Sequence, residues 1–402
     1  MATDAHPPDF STRHNLLDPN GPVCLIVQAQ MGVAAGLDRF QPAGFPEIGH
    51  VIYPAPRTDG QSEKVCIVDS PASMANHLEQ VCLAGGNDSH LHPDLAGLPY
   101  VKCVTDRDPT INGSGITLKP DDPRDRVVTT SLTEGNRIAS DYFLDARRLD
   151  AGNQPEVATF REDLRTEFGI IIVKGKKKDV YFIPPEEAWW SIYRTLLKYD
   201  PNSLVHGVLF AKEQIKISRV LTAHLEAFGA ARVGRSGVKF DRLGKTIQPI
   251  FAVDEETARE IRATFIIDLA LLRSYGREIA QGKPPLGLTQ PQKEFLLTFA
   301  LWKIRELLSR TFSYRSGCKL RAQRLSIRTD DQQEDRDPLT TELPEVNIKS
   351  AITAAFPSGQ ITRVYYPYDQ LVKPAKKPGK EDSGPGADEG VEEEDDEGES
   401  EE

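Results

Sequence analysis

The segment from Lys64 to Leu83 limits the possible folds of this chain more than any other. Its sequence, KVCIVDSPASMANHLEQVCL, begins with a short apolar, β-branched run that predicts a buried strand over Lys64–Asp69. Ser70 is a favoured helix N-cap, and Pro71 follows at the first helical position, where proline is best tolerated. The sequence therefore predicts a strand that leads directly into a helix.

The predicted helix has two faces. Its apolar face carries Met74, Leu78, Val81 and Cys82. The other face is neutral and rich in hydrogen-bonding groups, with Ser73, Asn76, His77 and Gln80. Such a stripe near a helix N-terminus suits contact with a sugar–phosphate backbone, and it is equally typical of an ordinary solvated helix face.

Four segments, in order, resemble one family. The strand and helix above resemble the strand and S-x-x-S-x-A-N-[RH]-L-E helix of the RAMP-type backbone subunit of the type I-G (earlier I-U) CRISPR effector, or Cascade, complex. Three further segments resemble the same family: FQPAGFPEIG at Phe40–Gly49, TTSLTEGNRIASDYF at Thr129–Phe143, and the run Ser203–Leu243. The chain departs from the family pattern at His77, where arginine is expected, and at EGNRI, where an E-A-H-R-L-like run is expected.

The resemblance implies a fold and a function. The fold would be α+β, a modified RRM-like (ferredoxin-like) palm with large inserted finger and thumb elements. The protein would be a non-catalytic subunit without cofactors. Further copies of itself would stack along one CRISPR guide RNA (crRNA), beside other effector-complex subunits. Guide pairing would read the target DNA strand in antiviral defence, while the protein holds the guide backbone.

The charge of the chain is unevenly distributed. The formal net charge is −11, but residues 381–402 hold thirteen acidic residues and no lysine or arginine. The other 380 residues carry 47 acidic against 49 basic side chains, a net of +2. We expect a flexible N-terminus over residues 1–19, one domain with insertions over 20–372, and a disordered Lys/Pro linker and acidic tail over 373–402. The tail is either a decoy that competes with nucleic acid for basic surface or a solubilising extension.

Hydrophobic patterning predicts the remaining elements. Strands are expected at Pro22–Gln30, Tyr100–Val104, His206–Ala211 and Gln248–Val253, and a basic-tipped hairpin at Gly169–Val173 and Asp179–Ile183. Helices are expected at Pro155–Phe168, Pro184–Tyr199, Ser218–Phe228, Glu255–Gln281 and Gln290–Arg310, and a loop at Asp106–Arg126. Asp254 would cap the fourth helix. Asp268 would lie buried within it and need a partner, by default an arginine.

Two basic segments are candidates for RNA contact. Gly229–Lys245 has five basic residues against one acidic, with four glycines that let a backbone approach phosphates. Arg310–Arg328 has six basic residues and no acidic ones. Its apolar and polar residues alternate, but the phase slips by one between Gln323 and Arg324. A β-bulge there would keep the cations on one face, either to bind a single strand or to protect an edge.

Other classes of function have less support. The five cysteines form no C-x-x-C pair, which favours a reduced, cytoplasmic protein without a zinc site. No apolar run is long enough for a membrane span, and the N-terminus is unlike a secretory signal. The alternative function is a metal-dependent nuclease of RNA or DNA that uses His90, His92 and a carboxylate. No carboxylate pair at metal-ligand spacing accompanies them.

We therefore expect no catalytic and no metal-binding residues. The residues expected to contact RNA are Ser70, Ser73, Asn76, His77, Arg137, Arg219, Arg232, Arg235, Lys239, Arg315, Lys319, Arg321 and Arg324.

Overall fold

The computed structural model describes residues 16–45, 49–57, 59–85, 90–105, 126–152, 154–173, 175, 180–182, 187–236, 253–279, 283, 285–331, 346–357 and 359–371. The strands in chain order are β1 Cys24–Val33, β2 Gly44–Phe45, β3 Gly49–His50, β4 Ile52–Pro56, β5 Ser62–Asp69, β6 Val101–Thr105, β7 Arg126–Thr130, β8 Arg147–Arg148, β9 Ile171–Val173, β10 Val180–Phe182, β11 Val208–Phe210, β12 Ile215–Ile217, β13 Leu221–Phe228, β14 Ala231–Ser236, β15 Val253–Thr257, β16 Glu260–Asp268, β17 Gly276–Arg277, β18 Leu286–Gly287, β19 Phe312–Arg315, β20 Cys318–Thr329 and β21 Thr362–Tyr365.

The α-helices are α1 Pro71–Gln80, α2 Asp141–Leu144, α3 Phe160–Phe168, α4 Glu187–Tyr199, α5 Pro201–His206, α6 Leu269–Ser274, α7 Gln290–Leu308, α8 Ile348–Ala355 and α9 Tyr368–Leu371. Three-residue 3-10 helices lie at Ala34–Gly36, Pro93–Leu95 and Arg137–Ala139.

A seven-stranded antiparallel sheet forms the centre of the fold. Its strand order is β19-β20-β1-β16-β13-β5-β4. Strand β1 lies between β20 and β16, with Val27 opposite Ile327 on one side and Phe265 on the other. These three side chains are buried, so they belong to the covered face of the sheet.

Helices cover one face of this sheet; among the described residues, the other face carries half-buried and exposed side chains, and we call it the open face. The helix α1 packs against β13 and α7, and α7 packs against β16. Helix α7 is buried along most of its length. On β13 and β16 buried and half-buried residues alternate without a break, as expected of strands with one face against a core.

A second sheet has four strands, in the order β7-β6-β21-β8. The pairing of β21 with β6 is parallel, whereas the other pairings of this sheet are antiparallel. Together the two sheets and their helices make a mixed α+β fold, which confirms the predicted class.

Two predicted helices are wrong. The segment predicted as a helix over Ser218–Phe228 contains β13, and most of Glu255–Gln281 is β16 and the six-residue α6. Asp254 lies within β15, where the helix was expected to begin. Asp268 is a half-buried N-cap of α6, and its Oδ1 accepts a hydrogen bond from the Leu271 N–H at 2.7 Å. Its partner is therefore a backbone amide where an arginine was expected.

Most other predicted elements are present. Ser70 caps α1, with Pro71 in its first turn, and the bounds of β1, β6, α3, α4, β11 and α7 overlap the predicted ranges. Strands β9 and β10 pair as the predicted hairpin. The lysines of its tip, most of the 106–126 loop and of 248–253, residues 1–15 and residues 372–402 lie outside the described residues. Leu17 is buried in the core.

Candidate nucleic-acid interface

The cationic strand β20 contains the bulge that its sequence predicts. Gln30 of β1 is opposite Arg324, while the next residue, Met31, is opposite Ala322. Gln323 is therefore the extra residue, and its side chain lies over Gly32, where a Cβ atom would clash with it. The bulge corrects the phase of the strand, so that Leu320 and Leu325 are both buried.

Because of the bulge, the cations of β20 before and after Gln323 all lie on the open face of the sheet. Lys319, Arg321 and Arg324 are exposed, and none has an ion-pair partner among the described residues. The neighbouring strands continue this face with mostly polar, half-buried side chains. Three rows of neighbours run across β20, β1, β16 and β13, in that order. The first row is Ser326, Gln28, Thr264 and His224. The second is Arg324, Gln30, Arg262 and Glu226, and the third is Arg328, Ile26, Ile266 and Thr222.

The buried carboxylate of Asp69 organises the start of α1. It accepts hydrogen bonds from the Ser70 N–H and from His77 Nε2, both at 2.9 Å, and forms an ion pair with Nη2 of Arg315 at 3.1 Å. Burial raises the pKa of Asp69, but the His77 hydrogen bond and the charge of Arg315 outweigh burial and hold the pKa below its usual value. Asp69 thus joins β5, α1 and β19.

His77 contributes to this junction through its ring as well. The ring meets Phe312 and Tyr314 edge-on, at centroid distances of 5.3 and 5.2 Å. Ser73 Oγ lies 3.4 Å from His77 Nε2, and both residues are half-buried. The predicted polar stripe of α1 is therefore fully open only at Asn76 and Gln80.

Arg315 also anchors the β19–β20 hairpin. Its Nη1 donates to the carbonyl oxygens of Val68 at 2.9 Å and of Gln41 at 3.3 Å. A two-residue turn joins Arg315 to Cys318, and Lys319 is the next residue, so the hairpin connects the Asp69 cluster to the start of β20. The structure thus brings together Ser70, Ser73, His77 and Arg315 around Asp69. Lys319, Arg321 and Arg324 lie on the opposite face of the sheet, and Asn76 lies on the exposed side of α1.

The other predicted RNA-contacting residues lie elsewhere. Arg137 is buried against Glu79, and Arg219 lines a separate cavity with it. Arg232 is half exposed, and its Nε lies 3.2 Å from the fully buried Glu256. Arg235 lies in β14 opposite Asp254, and Lys239 lies outside the described residues.

A buried polar network was not predicted from the sequence. Glu79 accepts hydrogen bonds from Arg137 and from Asn202. The Lys303 ammonium group donates to Asn202 Oδ1 and, at 3.0 Å, to His206 Nε2. The sequence contains one indication of this network: a charged residue stands within the apolar face of a helix, as Glu79 does in α1 and Lys303 in α7.

Burial sets the protonation of this network. Burial lowers the pKa of Lys303. Burial and the positive charges of Lys303, Arg137 and Arg219 together lower the pKa of His206 well below its usual range. Burial also raises the pKa of Asp200 to about 6. His206 is therefore a neutral imidazole at physiological pH.

The cysteines behave as small apolar side chains. All five are free thiols, and only Cys24 is not fully buried. Burial raises the pKa of Cys66, Cys103 and Cys318 to about 12. Across the described ranges, no group of three or more His, Cys, Asp or Glu side chains could hold a metal ion. In the same ranges no helix is both long and apolar enough to cross a membrane.

Within the described ranges His90 and His92 belong to no group of three or more potential metal ligands. His92 caps the short helix Pro93–Leu95 by accepting from the Asp94 N–H at Nδ1, and its ring meets Trp302 edge-on. His90 is exposed next to residues outside the described ranges.

Comparison with known proteins gives one family, and the solved structures that match include two distant likenesses. The family model of CRISPR-associated protein GSU0053 matches residues 25–232, just over half of the 402 residues. A chain of a CRISPR RNA-guided surveillance complex (pre-nicking) is 12% identical over 77% of this chain and 80% of its own, with a TM-score of 0.30. Csc2 of Thermofilum pendens is 12% identical over 83% and 70%, with a TM-score of 0.25. At these TM-scores neither likeness bears on the fold or function of this chain.

No curated protein matches the sequence. The matched range of the family model contains the first three motif segments and most of the fourth, so the family resemblance drawn from them is confirmed. The chain belongs to the CRISPR-associated protein GSU0053 family.

Proposed function

We propose that this protein is an RNA-binding backbone subunit of a Cascade-type CRISPR effector complex. The observation that carries the proposal is the open face of β20, where a bulge at Gln323 aligns Lys319, Arg321 and Arg324. Unpaired cations along a strand neutralise successive phosphates of a single strand. The amide of Asn76, exposed on α1, supplies a further polar contact.

The strand order supports an RRM-like palm for this protein. If β1, β13, β16 and β20 are taken as the four palm strands, their order in the sheet is fourth, first, third, second. Helix α1 lies between the first and second of these strands, and α7 lies between the third and fourth. This is the arrangement of a β-α-β-β-α-β ferredoxin-like unit. The remaining elements would be insertions into it.

In this role the protein contacts the guide backbone and leaves sequence reading to base pairing. Further copies stack along one guide, next to other subunits, and present the spacer to the target DNA strand in the cytoplasm. The subunit itself is not an enzyme. Membership of a CRISPR-associated family and the cationic face both favour this role over that of a nuclease.

Co-expression with a CRISPR array tests the proposal. The full chain is purified at moderate salt, and the bound RNA is extracted, sized and sequenced. We expect RNA of defined length that maps to array spacers, in particles larger than one protein chain. Bound RNA drawn at random from the transcriptome, or RNA-free protein that degrades oligonucleotides with added metal, would contradict it.

A further inference from the structure

A cavity of about 810 Å³ opens beside the central sheet, and no residue of the cationic strand β20 lines it. It lies between the β11–β12 hairpin, the segment from Gly135 to Ala139 and the start of β13. This volume is within the usual range for small-molecule sites and exceeds what a single phosphate ion needs.

The cavity is lined by more positive charge than its ion pairs use. Arg137 is paired with Glu79, and Arg161 is paired with Asp141, which also lines the cavity. The remaining cations are Lys212, Lys216 and Arg219, and none of these has an ion-pair partner among the residues that the structure describes. Three unneutralised cations around one concave surface favour an anionic ligand.

His206 supplies a hydrogen-bond donor at the same place. The residue lines the cavity and is 1% exposed. Nε2 accepts from the Lys303 ammonium group at 3.0 Å, which places the proton of the neutral ring on Nδ1. Within the described residues Nδ1 has no hydrogen-bond partner. A buried N–H without a partner is costly, and a ligand oxygen would satisfy it.

Gly207 makes this arrangement possible. It has φ +78°, a conformation that suits glycine, and a Cβ atom there would lie 2.8 Å from the Ile217 carbonyl oxygen. The chain can therefore turn sharply from His206 at the end of α5 into β11. As a result the histidine and the hairpin line one cavity.

The hairpin also supplies an apolar contact beside the charges. Leu209 is 60% exposed and lies directly opposite Lys216 across the β11–β12 pair. Directly opposite residues share a face of a hairpin, so the two side chains are neighbours in the cavity wall. An apolar surface next to a cation suits a ligand that has a flat ring close to a phosphate.

We propose that this cavity binds one nucleoside phosphate, whose phosphate contacts Lys212, Lys216 and Arg219 and whose ring lies on Leu209. The Nδ1–H of His206 donates to an oxygen of the ligand. The nucleoside phosphate is either a free nucleotide or one nucleotide of a single strand, since both present the same groups. The proposal is independent of guide binding by β20.

Calorimetric titration of the full chain, freed of RNA by nuclease and high salt, tests the proposal. The probes are adenosine 5′-monophosphate and adenosine. We expect the monophosphate to bind more tightly than adenosine. In Lys212→Ala/Lys216→Ala, and separately in Arg219→Ala, monophosphate affinity should fall about tenfold, the loss expected for one charge-assisted contact. Adenosine affinity should change little.

The matched control is Lys64→Ala/Lys283→Ala, which removes the same charge from exposed positions outside the cavity. It should bind the monophosphate as the parent protein does. Absence of monophosphate binding at millimolar concentration, or equal affinity in the cavity and control variants, would overturn the proposal. Circular dichroism checks that each variant is folded.

Competition with a twelve-nucleotide oligoadenylate distinguishes the two sources. If the oligonucleotide displaces the monophosphate, and binds more weakly to the cavity variant, the cavity holds a nucleotide of a strand. If it does not displace the monophosphate, the cavity holds a free nucleotide. Either result supports the site, and neither requires the cations of β20.

Discussion

Glu79 and Arg137 form a two-point ion pair inside the protein. Nε and Nη2 of Arg137 lie 2.6 and 3.1 Å from the two carboxylate oxygens of Glu79. Both side chains are less than a tenth exposed, and Arg137 has a φ of +52°, which is unfavourable for a residue with a Cβ atom. The pair joins α1 to the segment after β7 and holds this strained residue in place.

Breaking the Glu79–Arg137 pair should destabilise the fold. In Arg137→Ala the Glu79 carboxylate stays buried without its cation, and such a loss costs about 3–5 kcal/mol. Urea denaturation measures the change. Arg137→Ala/Glu79→Gln should recover part of the stability because no uncompensated charge remains. A loss below about 0.5 kcal/mol, the scale of a surface substitution, would show that the pair is unimportant.

The buried carboxyl group of Asp200 should make stability depend on pH. Burial raises its pKa in the folded protein to about 6, above the value of about 3.9 for an unperturbed aspartate. The folded state therefore binds the proton more tightly than the unfolded state. The contribution of the protonated form to stability is fully present below about pH 4 and is lost as the pH rises through about 6.

Asp200→Asn should remove this loss. The asparagine can still accept the Ser203 Oγ–H hydrogen bond that Asp200 Oδ2 accepts at 2.6 Å. We expect the variant to be more stable than the parent by about 3 kcal/mol at pH 8, on the scale of 1.36 kcal/mol per pKa unit, with little difference at pH 4. Urea midpoints measured from pH 4 to 8 give the comparison. A constant difference across this range would contradict the assignment.

Ser73 and Asn76 of α1 should contribute to RNA binding without stabilising the protein. Ser73→Ala/Asn76→Ala removes one half-buried hydroxyl and one exposed amide, so the free energy of unfolding should change by about 0.5 kcal/mol or less. The RNA retained per protein after size-exclusion chromatography should fall. Gln154→Ala/Gln360→Ala, at exposed positions outside this site, is the control. If the α1 variant retained as much RNA as the parent protein, the polar face of this helix would be an ordinary solvated face without a role in RNA binding.

Removal of residues 381–402 should leave the thermal unfolding of the protein unchanged. The segment has almost no large apolar side chains and carries thirteen acidic residues, so it has little to bury. If it is a decoy, the truncated chain should bind RNA more tightly at low salt, and the gain should vanish at high salt. A melting temperature lowered by many degrees would show that the tail docks on the body.

The sequence predicted some elements correctly because local signals agreed with the fold. Ser70, Pro71 and the apolar face of α1 all indicate one helix, and the phase slip at Gln323 has only one simple structural explanation. Strands β13 and β16 were missed because their apolar residues fit two periods. Leu221 and Leu225 are spaced as on a helix, while Ala223 and Ala227 complete an alternation that is weak because alanine is small.

The candidate site was predicted only in part, since sequence does not show which cations already have partners. Arg315, Lys319 and Arg321 look equivalent in the sequence, yet only Arg315 is held by Asp69 and two backbone carbonyls. Arg137 likewise pairs with Glu79, which is 58 positions away in the chain. Long-range partners of this kind are fixed by the packed fold.

The salt dependence of RNA binding tests the central claim most directly. Lys319→Ala/Arg321→Ala/Arg324→Ala removes the three exposed cations of β20, and Lys64→Ala/Arg194→Ala/Lys283→Ala removes equal charge from other exposed positions. The first variant should bind guide RNAs of unrelated sequence more weakly, by about 1 kcal/mol or more per lost contact. The slope of log affinity against log salt should fall by up to about 2, at about 0.7 per contact with a single strand. A slope equal to that of the parent protein and the control would place the RNA elsewhere and contradict the account.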